Sequence, residues 1–254
     1  MRRSQKNSKT LCRARGLAHD LVVTRKGDLT TLWSEAGIRH SVFNSAAPHL
    51  PGLEYARNML AALPFCPQAQ SCLVLGLGGG SIPRMLIRAC PNIEVEAVEI
   101  DPAVVGLADK YFDIHALPRF KVHLEDAAAF LRRCDSRYGI VVVDTYLGEQ
   151  FPDQCSTREF ISDAGKCLLD DGVLVVNWLS GDRRRRDSLL KTIEWTIGPV
   201  WQLPGLKSGN VLYFASAGDI SLSAILSAAK DIQTGIPFKN SLRQLVQRLK
   251  MVSG

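Results

Sequence analysis

The chain has 254 residues, of which 46% are hydrophobic and 22% are charged, so it can bury one large core and a small appendage but hardly two independent domains. Its longest apolar runs are far shorter than the roughly 20 residues that cross a bilayer, which excludes a membrane-spanning segment. Six of the 31 Lys and Arg residues precede the first acid, Asp20, so 25 basic residues remain against 25 acidic ones. The net charge of +6 therefore belongs to the N-terminus, and the neutral body argues against a nucleic-acid partner.

Residues 1–16 form this basic, acid-free segment, and we predict a disordered tail there. The segment lacks the apolar region of a secretory signal, although an organelle transit peptide would share its composition. The seven cysteines show no C-x-x-C pair and no zinc-site spacing. We therefore expect reduced thiols, no metal site and a cytoplasmic protein.

Residues 17–50 have the pattern of a small β meander, because turn signals at Gly27 and Gly37 separate short β-type stretches. A helix follows, and its apolar residues have helical spacing until Pro64 ends it. The predicted strands are Leu21–Arg25, Leu29–Trp33 and Arg39–Phe43, and the predicted helix is Leu53–Leu63.

From Cys72 onward, short apolar runs alternate with amphipathic stretches. Strands that are apolar throughout, each followed by a helix, are typical of a parallel sheet covered on both faces. We therefore predict a doubly wound α/β domain over residues 51–254. Its predicted strands are Cys72–Leu75, Val95–Val98, Phe120–Leu124, Gly139–Val143 and Val173–Trp178, and its helices are Ile82–Ala89, Pro102–Tyr111, Ala127–Leu131 and Thr157–Leu169.

The last third of the chain adds two helices and two strands to this pattern. The predicted elements are the helix Arg183–Ile197, the strands Val200–Leu203 and Val211–Ala215, and an amphipathic helix near Leu242–Leu249. Pro204-Gly205 between the two strands indicates an antiparallel edge on the parallel sheet. The basic run Arg183–Arg186 is interpreted as a solvated first helical turn rather than a nucleic-acid contact.

A glycine-rich segment, Gly76–Gly80, stands where the first strand of this sheet must turn into a helix. Glycines there let the backbone approach a ligand closely, and free N–H groups at a helix start favour polar or anionic groups. Glu99 ends the second strand, where an acid can accept hydrogen bonds from ribose hydroxyls. Asp126 and Asp144 follow the third and fourth strands, so they should share the carboxyl edge of the sheet. Asp101 could either cap the next helix or contact a ligand.

Four sequence blocks, in their order and spacing, resemble the spermidine synthases, or polyamine aminopropyltransferases, whose core is similar to that of class I methyltransferases. The blocks are LVLGLGGGSIPR, AVEIDPAVVGLADKYF, FKVHLEDAAAFL and YGIVVVDTY, and the resemblance extends over roughly residues 22–215. It implies a mostly parallel, seven-stranded Rossmann-like sheet with a small N-terminal β meander.

The resemblance also implies a role for each candidate residue. Gly76, Gly78 and Gly80 would cradle the amino-acid-derived part and the ribose of a sulfonium ligand, and Glu99 would hold the ribose hydroxyls. Asp144 would take the place of the catalytic aspartate that binds the attacking amine and helps to deprotonate it. The full set is Gly76, Gly78, Gly80, Glu99, Ile100, Asp126 and Ala127 for the nucleoside ligand, with Asp126 and Ala127 on the adenine, and Tyr146, Glu149 and His40 for the amine substrate.

Two acids that the family usually has are missing from this chain. Ser81 follows the last glycine where the family loop carries an aspartate for the aminopropyl ammonium, and Leu147 stands at the second aspartate after the catalytic one. Glu149 and Asp153 lie close enough in sequence to substitute. An ammonium that leaves water needs charge-assisted partners, so these losses argue against tight binding of an ordinary diamine in the usual pose.

We predict a transferase that moves an aminopropyl group from decarboxylated S-adenosylmethionine to an amine acceptor, as in polyamine biosynthesis. Methyl transfer from S-adenosylmethionine in the same pocket stays open, as does a nucleoside-binding homologue without turnover. Either sulfonium compound would be a co-substrate rather than a permanently bound cofactor. The expected partner is a small-molecule amine, with no membrane or nucleic acid, and the resemblance implies a homodimer.

Overall fold

A computed structural model describes residues 8–148, 150–179, 181–216, 218, 220–232 and 241–252 of the chain. Within these residues, two β-sheets and eight α-helices are arranged so that a four-stranded N-terminal sheet packs onto a larger α/β unit. None of the described helices is both long enough and apolar enough to span a membrane.

The N-terminal sheet is an antiparallel meander in the order β1-β2-β3-β4. Its strands are β1 (Lys9–Arg15), β2 (Asp20–Lys26), β3 (Leu29–Ser34) and β4 (Arg39–Asn44). The predicted strands correspond to β2, β3 and β4, and the turn between the first two contains Gly27 at a φ of 56°.

The prediction of a disordered tail over residues 1–16 is wrong for its second half, because β1 pairs along its length with β2. Leu11 and Ala14 are partly buried against the core, whereas Arg13 and Arg15 face water. The strand was not predicted because the basic residues on the exposed face of β1 gave this segment the composition of a disordered tail. Residues 1–7 lie outside the described residues.

The larger sheet has the order β12-β10-β11-β9-β8-β5-β6-β7, and the five strands from β9 to β7 are parallel. Its strands are β5 (Ser71–Leu75), β6 (Glu94–Glu99), β7 (Phe120–Leu124), β8 (Tyr138–Val143), β9 (Leu168–Leu179), β10 (Val200–Pro204), β11 (Asn210–Ser216) and β12 (Lys250–Met251). The predicted antiparallel edge is present, with β11 between β9 and β10. The predicted seven strands are joined by an eighth, β12, of two residues.

The helices cover both faces of this sheet, as the predicted doubly wound fold requires. They are α1 (Glu54–Asn58), α2 (Ser81–Ala89), α3 (Pro102–Phe112), α4 (Ala127–Arg133), α5 (Arg158–Lys166), α6 (Arg183–Thr196), α7 (Leu222–Ile232) and α8 (Leu242–Val246). The predicted helix Leu53–Leu63 divides into α1 and the 3-10 segment Met59–Ala62. Sequence analysis missed α7, although Ile225 and Ala229 lie one turn apart on its buried face.

Two hydrophobic clusters fill the space on either side of the large sheet. Cys72 and Val74 of β5 face one cluster, and Leu73 and Leu75 face the other, as the two-residue period of a strand dictates. The N-terminal sheet contributes to the first cluster, in which it packs against α2 and α3. This packing brings its hairpin loops to the carboxyl edge of the parallel strands.

Candidate active site

A cavity, which we call the central cavity, lies at the carboxyl edge of the parallel strands and is closed by loops of the N-terminal sheet. The sheet contributes residues at or after the ends of five neighbouring strands, and the N-terminal sheet contributes two histidines. In sheet order these are Asp126 (β7), Glu99 (β6), Gly76 (β5), Asp144 (β8) and Asn177 (β9), with His19 and His40 above them. We call Gly76, Glu99 and Asp126 with their neighbours the β5–β7 half, and Asn177, Leu179 and Asn210 the β9–β11 half.

The glycine loop enters the cavity at two of its three predicted positions. Gly76 has a φ of 101°, and a Cβ built on it would lie 2.4 Å from the carbonyl oxygen of Asp144. Gly78, at a φ of 53°, also lines the cavity. Gly80 is the residue before α2, and a Cβ there would lie 2.6 Å from Cγ2 of Ile114. Within the described residues the cavity wall does not include Gly80, so this glycine permits packing rather than ligand approach.

Glu99 is fixed in the cavity wall by backbone donors. Its Oε2 accepts a hydrogen bond from the N–H of Leu77 at 3.0 Å, and its Oε1 accepts one from the N–H of Asp101 at 3.0 Å. Burial raises the pKa of Glu99, and these backbone hydrogen bonds lower it. Each carboxylate oxygen keeps a second lone pair, so Glu99 can still accept from ligand hydroxyls. Ile100, 40% exposed, lines the cavity beside it.

Asp126 lines the cavity but also holds the start of α4. Its Oδ1 accepts from the N–H of Ala129 at 2.9 Å, and its Oδ2 accepts from Nε2 of Gln154 at 2.8 Å. Ala127, the first residue of α4, is buried in the same wall. Sequence analysis missed Gln154, because nothing in the sequence near it marks a ligand site.

Asp101 caps α3 through Oδ1, which accepts from the N–H of Ala103 at 2.8 Å. Its Oδ2 accepts from the N–H of Leu17 at 2.8 Å, in the loop that joins β1 and β2. A helix cap thus also fastens the N-terminal sheet over the cavity, where Asp101 forms part of the wall.

Asp144 lies at the centre of a hydrogen-bond network in the cavity. Its Oδ1 accepts from Nδ2 of Asn177 at 2.7 Å, and its Oδ2 accepts from the hydroxyl of Tyr55 at 3.3 Å. Nδ2 of Asn210 donates in turn to Oδ1 of Asn177 at 3.0 Å. Burial raises the pKa of Asp144 to about 7, although the hydrogen bonds from Asn177 and Tyr55 oppose this shift. The carboxylate can therefore accept a proton near neutral pH.

Tyr55 complements this carboxylate as a permanent donor. Burial and the charge of Asp144 raise the pKa of Tyr55 well above its ordinary value, so its hydroxyl keeps its proton. Sequence analysis missed Tyr55, Asn177 and Asn210, which come from α1, β9 and β11. Each carries a common polar side chain with no motif around it.

The loop after β8 places the candidate substrate residue Tyr146, together with Leu147, against the cavity. The ring of Tyr146 lines it, but the hydroxyl donates to the carbonyl of Asn177 at 2.9 Å and accepts from the N–H of Leu179 at 2.6 Å. Leu147 also lines the cavity and is 45% exposed. Glu149 lies outside the described residues.

Two other residues discussed in the sequence analysis, Asp153 and Ser81, are not among the described residues that line the cavity. Asp153 forms an ion pair with Arg185 and is not part of the described cavity wall. Ser81 is likewise not part of that wall, and its hydroxyl lies 2.8 Å from the hydroxyl of Ser41.

His40 lines the cavity in contact with His19, which sequence analysis missed. The two rings stack with centroids 5.1 Å apart, and their Nε2 atoms lie 3.1 Å apart, so one ring donates a hydrogen bond to the other. Burial, together with the neighbouring His19, lowers the pKa of His40 to about 4. His40 is therefore neutral at physiological pH.

The basic run Arg183–Arg186 forms the first turn of α6, and two of its arginines form ion pairs within the chain. Arg185 pairs with Asp153 and donates to the carbonyl of Phe151 at 3.0 Å, and Arg186 pairs with Asp187. In the described part of the chain, no cluster of three or more His, Cys, Asp or Glu side chains could hold a metal ion.

A parallel sheet in this order, with a glycine turn after its first strand and acids after the next ones, defines a Rossmann-like α/β protein of the methyltransferase-like class. Within that class, residues 54–180 match the family model described as the spermine/spermidine synthase domain, and the chain belongs to this family. Membership makes the chain a transferase.

Relatives from several organisms agree with this assignment. The polyamine aminopropyltransferase of Vibrio vulnificus is 36% identical over 129 residues, which cover 50% of this chain and 43% of that protein. The polyamine aminopropyltransferase of Chromobacterium violaceum is 29% identical over 211 residues, 80% of each chain. The N-terminal histidine N-methyltransferase of Emericella nidulans is 37% identical over 126 residues, covering 47% of this chain and 22% of that protein.

Solved structures share the fold. A probable spermidine synthase from Corynebacterium glutamicum has a TM-score of 0.74 at 20% identity, covering 92% of this chain and 93% of that one. A spermidine synthase in complex with the transition state analogue AdoDATO has a TM-score of 0.72 at 16% identity, covering 94% and 84%. Human methyltransferase-like protein 13 in complex with SAH has a TM-score of 0.66 at 20% identity, covering 74% and 94%.

Proposed function

We propose that this transferase moves an aminopropyl group from decarboxylated S-adenosylmethionine to an amine acceptor. The observation that carries the proposal is Asp144, a carboxylate held in the central cavity by Asn177 and Tyr55, next to the glycine loop. Relatives named polyamine aminopropyltransferase support aminopropyl transfer at the level of the family.

The β5–β7 half of the cavity would hold the nucleoside. Glu99 would accept hydrogen bonds from the ribose hydroxyls, because its oxygens face the cavity and are oriented by backbone donors. Gly76 and Gly78 would admit the sulfonium chain, and Asp126 with Ala127 would contact the adenine. The sulfonium compound would enter as a co-substrate and leave as methylthioadenosine.

In the proposed reaction, the amine attacks the methylene carbon next to the sulfonium, in line with the carbon–sulfur bond. The new carbon–nitrogen bond forms as the carbon–sulfur bond breaks, and the electron pair of that bond stays on the neutral sulfur of the product. Asp144 accepts the proton that the acceptor ammonium releases before attack. An aspartate with a pKa of about 7 is a better match for an ammonium of pKa about 10 than an ordinary aspartate of about 4.

Asp144→Asn tests this assignment, because it keeps the shape of the side chain and removes the charge. We expect turnover with decarboxylated S-adenosylmethionine to fall by at least about a hundredfold, while the affinity for methylthioadenosine changes little. Asp153→Asn, which removes an acid paired with Arg185 outside the described cavity wall, is the matched control and should retain turnover. Unchanged turnover in the Asp144 variant would contradict the proposed role.

Methyl transfer from S-adenosylmethionine is the second candidate, favoured by the N-methyltransferase of Emericella nidulans among the relatives. Calorimetry with the two sulfonium compounds separates the candidates. Tighter binding of S-adenosylmethionine than of its decarboxylated form would favour methyl transfer.

The proposal also bears on the partner, the cellular location and the oligomeric state of the protein. The partner would be a small-molecule amine, and the cytoplasm and a homodimer stay predictions that fractionation and sedimentation can test. A nucleoside-binding homologue without turnover is the remaining alternative, and release of methylthioadenosine during catalysis would exclude it.

A further inference from the structure

The order of the strands separates charged from neutral groups along the edge of the sheet. Glu99 and Asp126 belong to the β5–β7 half, whereas the β9–β11 half presents Asn177, Leu179 and Asn210. Asn210 is the residue paired with Leu179 where β11 begins, so the antiparallel strand still delivers an amide to the same edge. Asp144 stands between the two halves.

Among the described residues, the side chains that line the β9–β11 half carry no charge that could neutralise a second ammonium. Asn177 and Asn210 already bond to each other and to Asp144. Leu147, which is 45% exposed to solvent, and Leu179 also line the cavity here. Asp144 is hydrogen-bonded to this half through Asn177, and the reacting amine would occupy this carboxylate.

The residues of β4 that line the central cavity are neutral or basic rather than acidic. His40 is uncharged because burial and His19 lower its pKa to about 4. The exposed side chain of Arg39 lies in the same wall and carries a positive charge. A cation at the far end of the acceptor would lose water without gaining a compensating carboxylate.

We propose that the acceptor carries a single amino group on an uncharged, largely apolar body, and that Leu147 determines this specificity. The inference rests on the proposed function, since it assigns the β9–β11 half to the acceptor. A monoamine would place its nitrogen at Asp144 and its hydrocarbon against Leu147 and Leu179. An α,ω-diamine would bring its second ammonium to the same leucines.

The test compares putrescine with n-pentylamine, which has a methyl group in place of the second ammonium. Calorimetry on the protein saturated with methylthioadenosine measures both affinities without requiring turnover. We expect n-pentylamine to bind at least about tenfold more tightly. Equal or tighter binding of putrescine, or no detectable binding of n-pentylamine, would overturn the inference.

Substitutions at the leucine sharpen the test. Leu147→Asp should raise putrescine affinity by about tenfold, because it supplies the missing charge-assisted partner. Leu147→Asn, which adds polarity without charge, is the control and should not raise it. Glu149 lies outside the described residues, so Glu149→Gln is measured in parallel. A tenfold loss of putrescine affinity in that variant would identify a second anchor and overturn the inference.

Transfer assays with the same two amines distinguish this inference from the proposed function. Methylthioadenosine release with putrescine but not with n-pentylamine would overturn the inference and leave aminopropyl transfer standing. Preferential binding of n-pentylamine with no transfer to either amine would support the inferred acceptor preference. It would contradict the proposed function, aminopropyl transfer.

Discussion

Among single residues, Asp144 shows how a reactive group weakens the fold that holds it. Burial raises its pKa from 3.8 to about 7, so the folded protein binds this proton more tightly than the unfolded chain does. Ionisation of Asp144 therefore destabilises the fold progressively between about pH 4 and pH 7, and the penalty is complete above that range.

Asp144→Asn should accordingly stabilise the protein at alkaline pH. We expect the free energy of unfolding at pH 8 to rise by on the order of 2 kcal/mol and to change little at pH 3, where the aspartate is largely protonated in both states. Denaturant titrations at the two pH values measure the difference. Asp153→Asn, at an exposed position, should change neither value, and an Asp144 variant less stable than the parent at pH 8 would contradict the argument.

The two acids of the β5–β7 half should respond differently to removal. Glu99→Ala and Asp126→Ala are each expected to weaken methylthioadenosine binding by roughly 1 to 3 kcal/mol. Because Asp126 also caps α4, its alanine variant should lose about 1 kcal/mol of stability, which Asp126→Asn should largely restore. Calorimetry and thermal unfolding on the three variants separate ligand contact from capping. Unchanged affinity in both alanine variants would contradict the nucleoside assignment.

At the level of elements, β1 is a structural strand and not a dispensable tail. Leu11 packs partly buried against the core, while Arg13 on the same strand is exposed. The loop after β1 is fastened to Asp101 through the N–H of Leu17. Removal of residues 1–16 would take away a whole strand of the N-terminal sheet together with part of the closure of the central cavity.

We therefore expect deletion of residues 1–16 to lower the free energy of unfolding by about 2 kcal/mol and to weaken methylthioadenosine binding. Leu11→Asp should reproduce most of the stability loss in the full chain, and Arg13→Ala should not. Chemical denaturation of the three proteins provides the measurement. A deletion as stable as the parent would mean that β1 adds nothing to the fold.

Across the whole molecule, the central cavity is lined both by loops of the N-terminal sheet and by the carboxyl edge of the large sheet. A ligand bound there should stabilise both parts, because binding to the folded state alone shifts the unfolding equilibrium. We expect methylthioadenosine to slow hydrogen exchange in the loop of residues 16–19 and around His40, as well as in the glycine loop. Protection confined to residues 76–127 would show that the N-terminal sheet does not take part in binding.

Much of the α/β fold was predictable from sequence, because short apolar strands alternate along the chain with amphipathic helices. This order of elements is compatible with few topologies other than a doubly wound sheet. The failures have local causes. Basic residues on the exposed face of β1 resembled a disordered tail, and the small and polar residues of α7 obscured the spacing of Ile225 and Ala229.

The site was predictable only where a motif marks it. Gly76, Glu99 and Asp144 lie in blocks whose spacing resembles a family. Tyr55 reaches Asp144 across 89 residues, and no local pattern could indicate that contact. Gly80 was assigned from the same glycine block, but the loop places it against Ile114.

The division of the central cavity along the sheet is also a division along the gene. The β5–β7 half is built from residues 76–127, and the wall from Asp144 to Asn210 is built from residues later in the sequence. Two successive segments of the gene therefore encode the two walls. A recombination crossover between residues 128 and 143 could therefore exchange the proposed acceptor wall while the nucleoside wall is inherited intact. Such hybrids must preserve the close approach of Gly76 to the carbonyl of Asp144 and the hydrogen bond from Gln154 to Asp126, because both cross the junction.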